Sequence, residues 1–104
     1  MQLPGRNEQT ISLNEASQQT RNFRLKASAD AIKGGLFWKE NVQKLLDQSD
    51  CVALRYYYGN DDKGLPTIVL VGVTSDGKDI TDGIILEYAW PCPPFCDDPH
   101  LLNS

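Results

Sequence analysis

Hydrolases of the nucleophile-and-base kind need a histidine or similar base set beside a serine or cysteine. This chain of 104 residues has one histidine, His100, with no such partner placed for it. A phosphate-cradling loop is also missing, because Gly34-Gly35 has neither a strand before it nor Lys-Ser/Thr after it. Positive charge is scarce: ten Lys and Arg against fourteen Asp and Glu leave a net charge of -4, and the basic residues are scattered between Arg6 and Lys78. Without a basic stripe, nucleic acid and anionic membrane surfaces are not expected partners. No apolar run approaches the roughly 20 residues that span a bilayer, and "MQLPGRNEQT" lacks a basic segment followed by an apolar one. The expectation is a soluble cytoplasmic protein, non-enzymatic. Cysteine is limited to an odd three, for which a reducing compartment implies free thiols, with metal ligation or transient redox chemistry as alternatives.

What is present fits one domain. Residues 1–10 are polar and aperiodic and read as a flexible lead-in; 11–90 read as a single α+β domain, and 91–104 as a C-terminal tail packed on it. Ser12 followed by Glu15 is a capping box, with Ile11 and Ala16 at staple positions, so a helix starts at Leu13. Its stripe of Leu13, Ala16, Thr20, Phe23 and Ala27 is narrow. Gly34-Gly35 then interrupts, and Trp38, Val42, Leu45 and Leu46 define a second helix over about Phe37–Gln48.

From Cys51 the period changes to two. "CVALRYYYG" sets Val52, Leu54, Tyr56 and Tyr58 on one side, expected to be the buried one, and Cys51, Ala53, Arg55 and Tyr57 on the other. "TIVLVGVT" is apolar on both faces, as in a central strand. Asp76-Gly77 is a hairpin signal that sets Val73 opposite Ile80 and Val69 opposite Ile84, although Asp82-Gly83 can reset the register as a bulge. The expected fold is two N-terminal helices packed on a three-stranded antiparallel β-meander, with an irregular Pro/Cys-rich tail. Two helices cannot cover both sheet faces, so a second apolar row needs a cover. Tyr57, Val69, Val71 and Val73, with Phe95 of the tail, are therefore the candidate interaction residues, for the tail, a protein partner or a second copy of the chain.

Cys92, Cys96 and His100, evenly spaced by four, are the candidate metal ligands, with zinc as the ion and Cys51 as the fourth ligand. Against this, Cys51 begins the first strand and Cys92 follows the third, about 25 Å apart at ~3.3 Å per residue, and Pro93, Pro94 and Pro99 prevent a continuous helix. No cofactor is expected. A bridge between Cys92 and Cys96 is the redox alternative, since two prolines can bend a four-residue step to a Cα separation of about 6 Å. Asp97 and Asp98 would raise a thiol pKa there. Asp61, Asp62, Asp76, Asp79 and Asp82 do not follow an EF-hand pattern and read as turn formers.

The segments "ISLNEA", "KGGLFWKE", "CVALRYYYG", "LVGVTSDGKDI" and "PCPPFC" together resemble a family of small uncharacterised proteins from Bacteroidota bacteria that end in a Cys-Pro-Pro-x-Cys tail. The resemblance spans residues 11–103. It implies a cytoplasmic bacterial domain and brings no catalytic or binding residues with it.

Overall fold

The capping box forms as read. In the computed structural model, which describes residues 2–103, the Glu15 amide donates to Ser12 Oγ at 3.1 Å and the Ser12 amide to Glu15 Oε1 at 3.4 Å. Two backbone donors that the first helical turn leaves unpaired are thereby satisfied. The elements in order are α1 (Leu13–Lys26), β1 (Gly34–Leu36), α2 (Lys39–Leu46), β2 (Ala53–Asn60), β3 (Pro66–Val73), β4 (Ile85–Leu86) and β5 (Trp90–Cys92). The fold is mixed α/β, with two helices, a three-stranded antiparallel sheet β2-β3-β4 and a further sheet β1-β5. No helix among the described residues is long and apolar enough to cross a membrane.

The contacts divide the chain differently from the expected boundaries, into residues 2–5 with 37–89 and residues 6–36 with 90–103. In the first unit, α2 packs against β3 and β4. The buried apolar residues are Leu45 from α2 and Leu70, Val71 and Val73 from β3, so β3 is buried on both faces as its sequence predicts. The β2-β3 ladder runs from Ala53 opposite Val73 to Asn60 opposite Pro66. Its hairpin is organised by Asp61, whose Oδ1 accepts the Lys63 and Leu65 amides at 2.9 Å each, while Gly64 takes a positive φ of 80°.

The return from β3 departs from the two-residue turn at Asp76-Gly77. Val73 pairs with Asp79, and the Thr74 amide donates to Lys78 O at 2.9 Å, so the loop is longer than expected. Val71 then pairs with Ile85. Two steps along β3 thus face six along the return, four more than a regular ladder, and Ile84 does not reach Val69. The cause is Gln48, just past α2. Its Oε1 accepts the Ile84 amide at 2.9 Å and its Nε2 donates to Leu45 O at 2.8 Å. A Cβ on Gly83 would lie 2.1 Å from that Oε1, so the Asp82-Gly83 break admits the glutamine only because it is bare there.

In the second unit, β1 pairs with β5, Gly34 facing Cys92 and Leu36 facing Trp90. Gly34-Gly35 is therefore strand and not a mere interruption. Of the two helices, α2 is the one that packs on the large sheet within its unit, and α1 groups with β1 and the tail. The narrow stripe explains why, since no residue of α1 is buried and Leu13 and Phe23 are 56% and 53% exposed. Polar links take its place. Arg24 Nη1 donates to Leu102 O at 2.6 Å, Lys33 Nζ to Asn103 O at 2.7 Å, and the Lys33 amide to Cys92 O at 2.8 Å.

Candidate functional site

The face of β2 expected to be buried is the exposed one. Leu54, Tyr56 and Tyr58 are 43%, 56% and 81% exposed, and Ile68, across the ladder from Tyr58, is 39% exposed. On this side the Gln48 and Cys51 side chains lie over Gly72, where a Cβ would meet them at 3.1 and 3.0 Å. Beyond Gly72 the tyrosine end stays open. The Tyr56 and Tyr58 rings touch edge to face at 5.5 Å, a favourable aromatic geometry.

β2 is also an edge strand. Among the described residues its only strand neighbour is β3. The Asp61 amide donates to Leu65 O at 2.9 Å, which marks that pair as hydrogen-bonded. Since such pairs alternate along an antiparallel ladder, Ala53, Arg55, Tyr57 and Gly59 point their backbone groups at β3, and Leu54, Tyr56 and Tyr58 point theirs at the free edge. Edges are usually blunted by proline, lysine, a bulge or an inward charge. "ALRYYYGN" carries neither proline nor lysine; its one charge, Arg55, is turned to Asp79, the Val52 and Ala53 pair opposes the single Val73 at its start, and Leu3 lines a hollow with Ala53, Leu54, Arg55 and Tyr56.

That charge is Arg55, which pairs with Asp79, and the Tyr57 hydroxyl donates to the same carboxylate. The Tyr57 hydroxyl holds the Asp79 carboxyl below its ordinary range; loss of hydration opposes it, and the Arg55 guanidinium adds to the lowering. Hydrogen bonding to Asp79 in turn raises the Tyr57 phenol and the Arg55 guanidinium. An arginine, a phenol and a carboxylate that satisfy one another form a structural clasp between β2 and the Asp79 loop.

The expected interaction residues separate. Val71 and Val73 are 3% and 1% exposed and so are unavailable to a partner, Val69 is half-buried, and Tyr57 is half-exposed with its hydroxyl committed to Asp79. Phe95 is 55% exposed and packs edge to face on Trp90 at 5.1 Å. The surplus row on β3 is thus covered, and the open apolar surface belongs to β2.

In the tail Cys92 and Cys96 are joined as a disulfide with their Cα atoms 4.8 Å apart, while Cys51 is a free thiol. Bonded sulfurs are not thiolate ligands, so the zinc set Cys92, Cys96, His100 does not assemble, and no cluster of three potential ligands occurs among the described residues. His100 is used locally: its Nδ1 accepts the Leu102 amide at 3.1 Å and its Nε2 lies 3.4 Å from Asp97 Oδ2. Asn103 completes the turn by donating to Asp97 O and Asp98 O at 3.2 and 3.3 Å. The acidic turns likewise serve the backbone, Asp61 capping its hairpin and Asp76 accepting from the Thr74 hydroxyl.

A sequence signal for the β2 surface was present, the alternating tyrosines, but a tyrosine row packs or faces solvent with equal ease. Comparison of the chain with protein-family models, with curated proteins and with solved structures returns no match.

Proposed function

We propose that the protein is a non-enzymatic interaction module that presents β2 to an extended protein segment. One observation carries the reading: an eight-residue strand with no second strand neighbour among the described residues combines that edge with an exposed Leu54-Tyr56-Tyr58 row and carries no proline or lysine along it. A strand added there gains main-chain hydrogen bonds, and the row supplies side-chain contacts at every second residue. The self-satisfied Arg55-Tyr57-Asp79 clasp supports the non-enzymatic side of the reading. Peptides selected from a random library on the isolated protein test it by amide chemical shifts. Perturbation centred on residues 53–60 is expected; binders that leave those amides unmoved and shift others sink the proposal.

The Cys92–Cys96 bond favours a second reading, a thiol switch. The bond runs against the free thiols that a reducing compartment implies; in a cytoplasm it is expected to be transient, so the switch reading and a cytoplasmic location stand together. The resemblance to the Bacteroidota proteins fits either reading, because it rests in part on the same "PCPPFC" segment. Mass spectrometry of protein taken directly from a reducing cytoplasm decides: a mixture of forms that exchange on mild oxidant supports the switch, and a bond that resists millimolar glutathione ends it.

A further inference from the structure

We infer that the segment β2 receives is β2 of a second copy, paired antiparallel about a two-fold axis at Tyr56. The inference rests on the edge reading above and narrows it to one occupant and one register. The free edge offers the backbone groups of Leu54, Tyr56 and Tyr58 at intervals of two residues. An antiparallel partner must oppose these with outward-pointing residues of its own, so even-numbered residues face even-numbered residues. Three central registers satisfy that rule, with axes at Arg55, Tyr56 and Tyr57.

Charge separates them. An axis at Arg55 sets two guanidinium groups directly across from each other, and like charges directly opposed destabilise a strand pair. With the axis at Tyr57, Tyr58 faces Tyr56 and Leu54 of one copy faces Asn60 of the other, which leaves the leucine against an amide. With the axis at Tyr56, Leu54 faces Tyr58 of the other copy and Tyr56 faces its equivalent, each pair exchanging both backbone bonds. Arg55 then stands opposite Tyr57 of the second copy, whose hydroxyl rests on that copy's Asp79. Each guanidinium, still held by its own Asp79, then meets an aromatic ring and not a second guanidinium, twice by symmetry. The exposed rows Leu54-Tyr56-Tyr58 of the two copies become one continuous apolar stripe flanked by Ile68 from each.

Sedimentation equilibrium and cross-linking test this together. The untagged chain is expected to dimerise, and Tyr56→Lys, which puts two ammonium groups on the axis, is expected to weaken the dimer by on the order of tenfold or more. In a Cys51→Ser background, Tyr56→Cys is expected to form an intermolecular disulfide on mild oxidation, since hydrogen-bonded pairs hold Cα atoms about 5.5 Å apart. A mixture of Leu54→Cys and Tyr58→Cys chains is expected to give the mixed product. A monomer at millimolar concentration overturns the inference, as does a dimer that cross-links through Arg55→Cys or Tyr57→Cys and not Tyr56→Cys. If the chain is monomeric while selected peptides still move the amides of 53–60, only the second copy is wrong; if neither occurs, the edge reading falls with it.

Discussion

The two units of this chain are held together by different physics. The residues from Phe37 to Ala89 contain every buried apolar side chain identified, with Leu45 of α2 set on a strand buried on both faces. The unit of residues 6–36 and 90–103 has no buried residue among those described. It relies on a disulfide, the β1-β5 ladder, and arginine, lysine and asparagine side chains bonded to backbone carbonyls of the tail. Apolar burial is non-directional and scales with area, whereas each polar link is local and worth only about 0.5–1.5 kcal/mol net. A strand whose outer edge has no strand neighbour is better placed on the first kind of support, because that edge can then stay exposed without the sheet coming apart.

Leu45→Ala should expose the difference most. Emptying this fully buried site is expected to cost about 2–5 kcal/mol, read as lost protection of the β3 amides in hydrogen exchange. Next in size is Cys96→Ser, which opens a loop spanning four residues. A closure this short constrains the unfolded chain modestly, by about 2 kcal/mol, and the expected readout is faster exchange of the Lys33 and Phe95 amides with a change in Trp90 emission. The contrast breaks if Cys96→Ser costs as much as Leu45→Ala. Gln48→Ala should remove about 1–2 kcal/mol by stripping the Ile84 amide of its acceptor and the Leu45 carbonyl of its side-chain donor, seen as local exchange at residue 84.

The smallest effect is expected at the clasp, and its size depends on pH. Asp79 is held below the ordinary carboxyl range when folded, so its contribution is present above the unfolded value near 4 and is lost as pH falls through the lower folded value. Tyr57 is raised, so its share is present below about 10 and is lost as pH rises through the higher folded value. The stability difference between the wild type and Asp79→Asn should therefore be flat from about pH 5 to 9 and shrink at both ends. A difference that grows on acidification would mean the clasp does not form.

Much of the sheet unit could be read from sequence, because its signals are local: the helical face through Leu45, the period of two from Cys51, and the two-faced apolar strand "TIVLVGVT". The buried side of β2 was misassigned for a physical reason. Arg55 and Tyr57 are amphipathic, and whether they turn inward depends on Asp79, a partner beyond the next strand. β1 was hidden because two glycines have poor strand propensity, and its partner at Trp90–Cys92 lies at the far end of the chain. The zinc reading rested on spacing alone. Spacing cannot tell two thiolates that share a metal from two sulfurs that share a bond.

Gln48 sets a limit on how this sequence can drift. Position 48 requires one acceptor for the Ile84 amide and one donor for the Leu45 carbonyl, both at the reach of a four-atom side chain. Glutamate keeps the acceptor but loses the donor, leucine loses both, and asparagine falls one methylene short. Gly83 is bound to the same condition, since any side chain there would displace the amide. The two positions, thirty-five residues apart, are coupled through one amide: losing the acceptor at 48 or filling the gap at 83 weakens the hold on the strand that ends at Leu86.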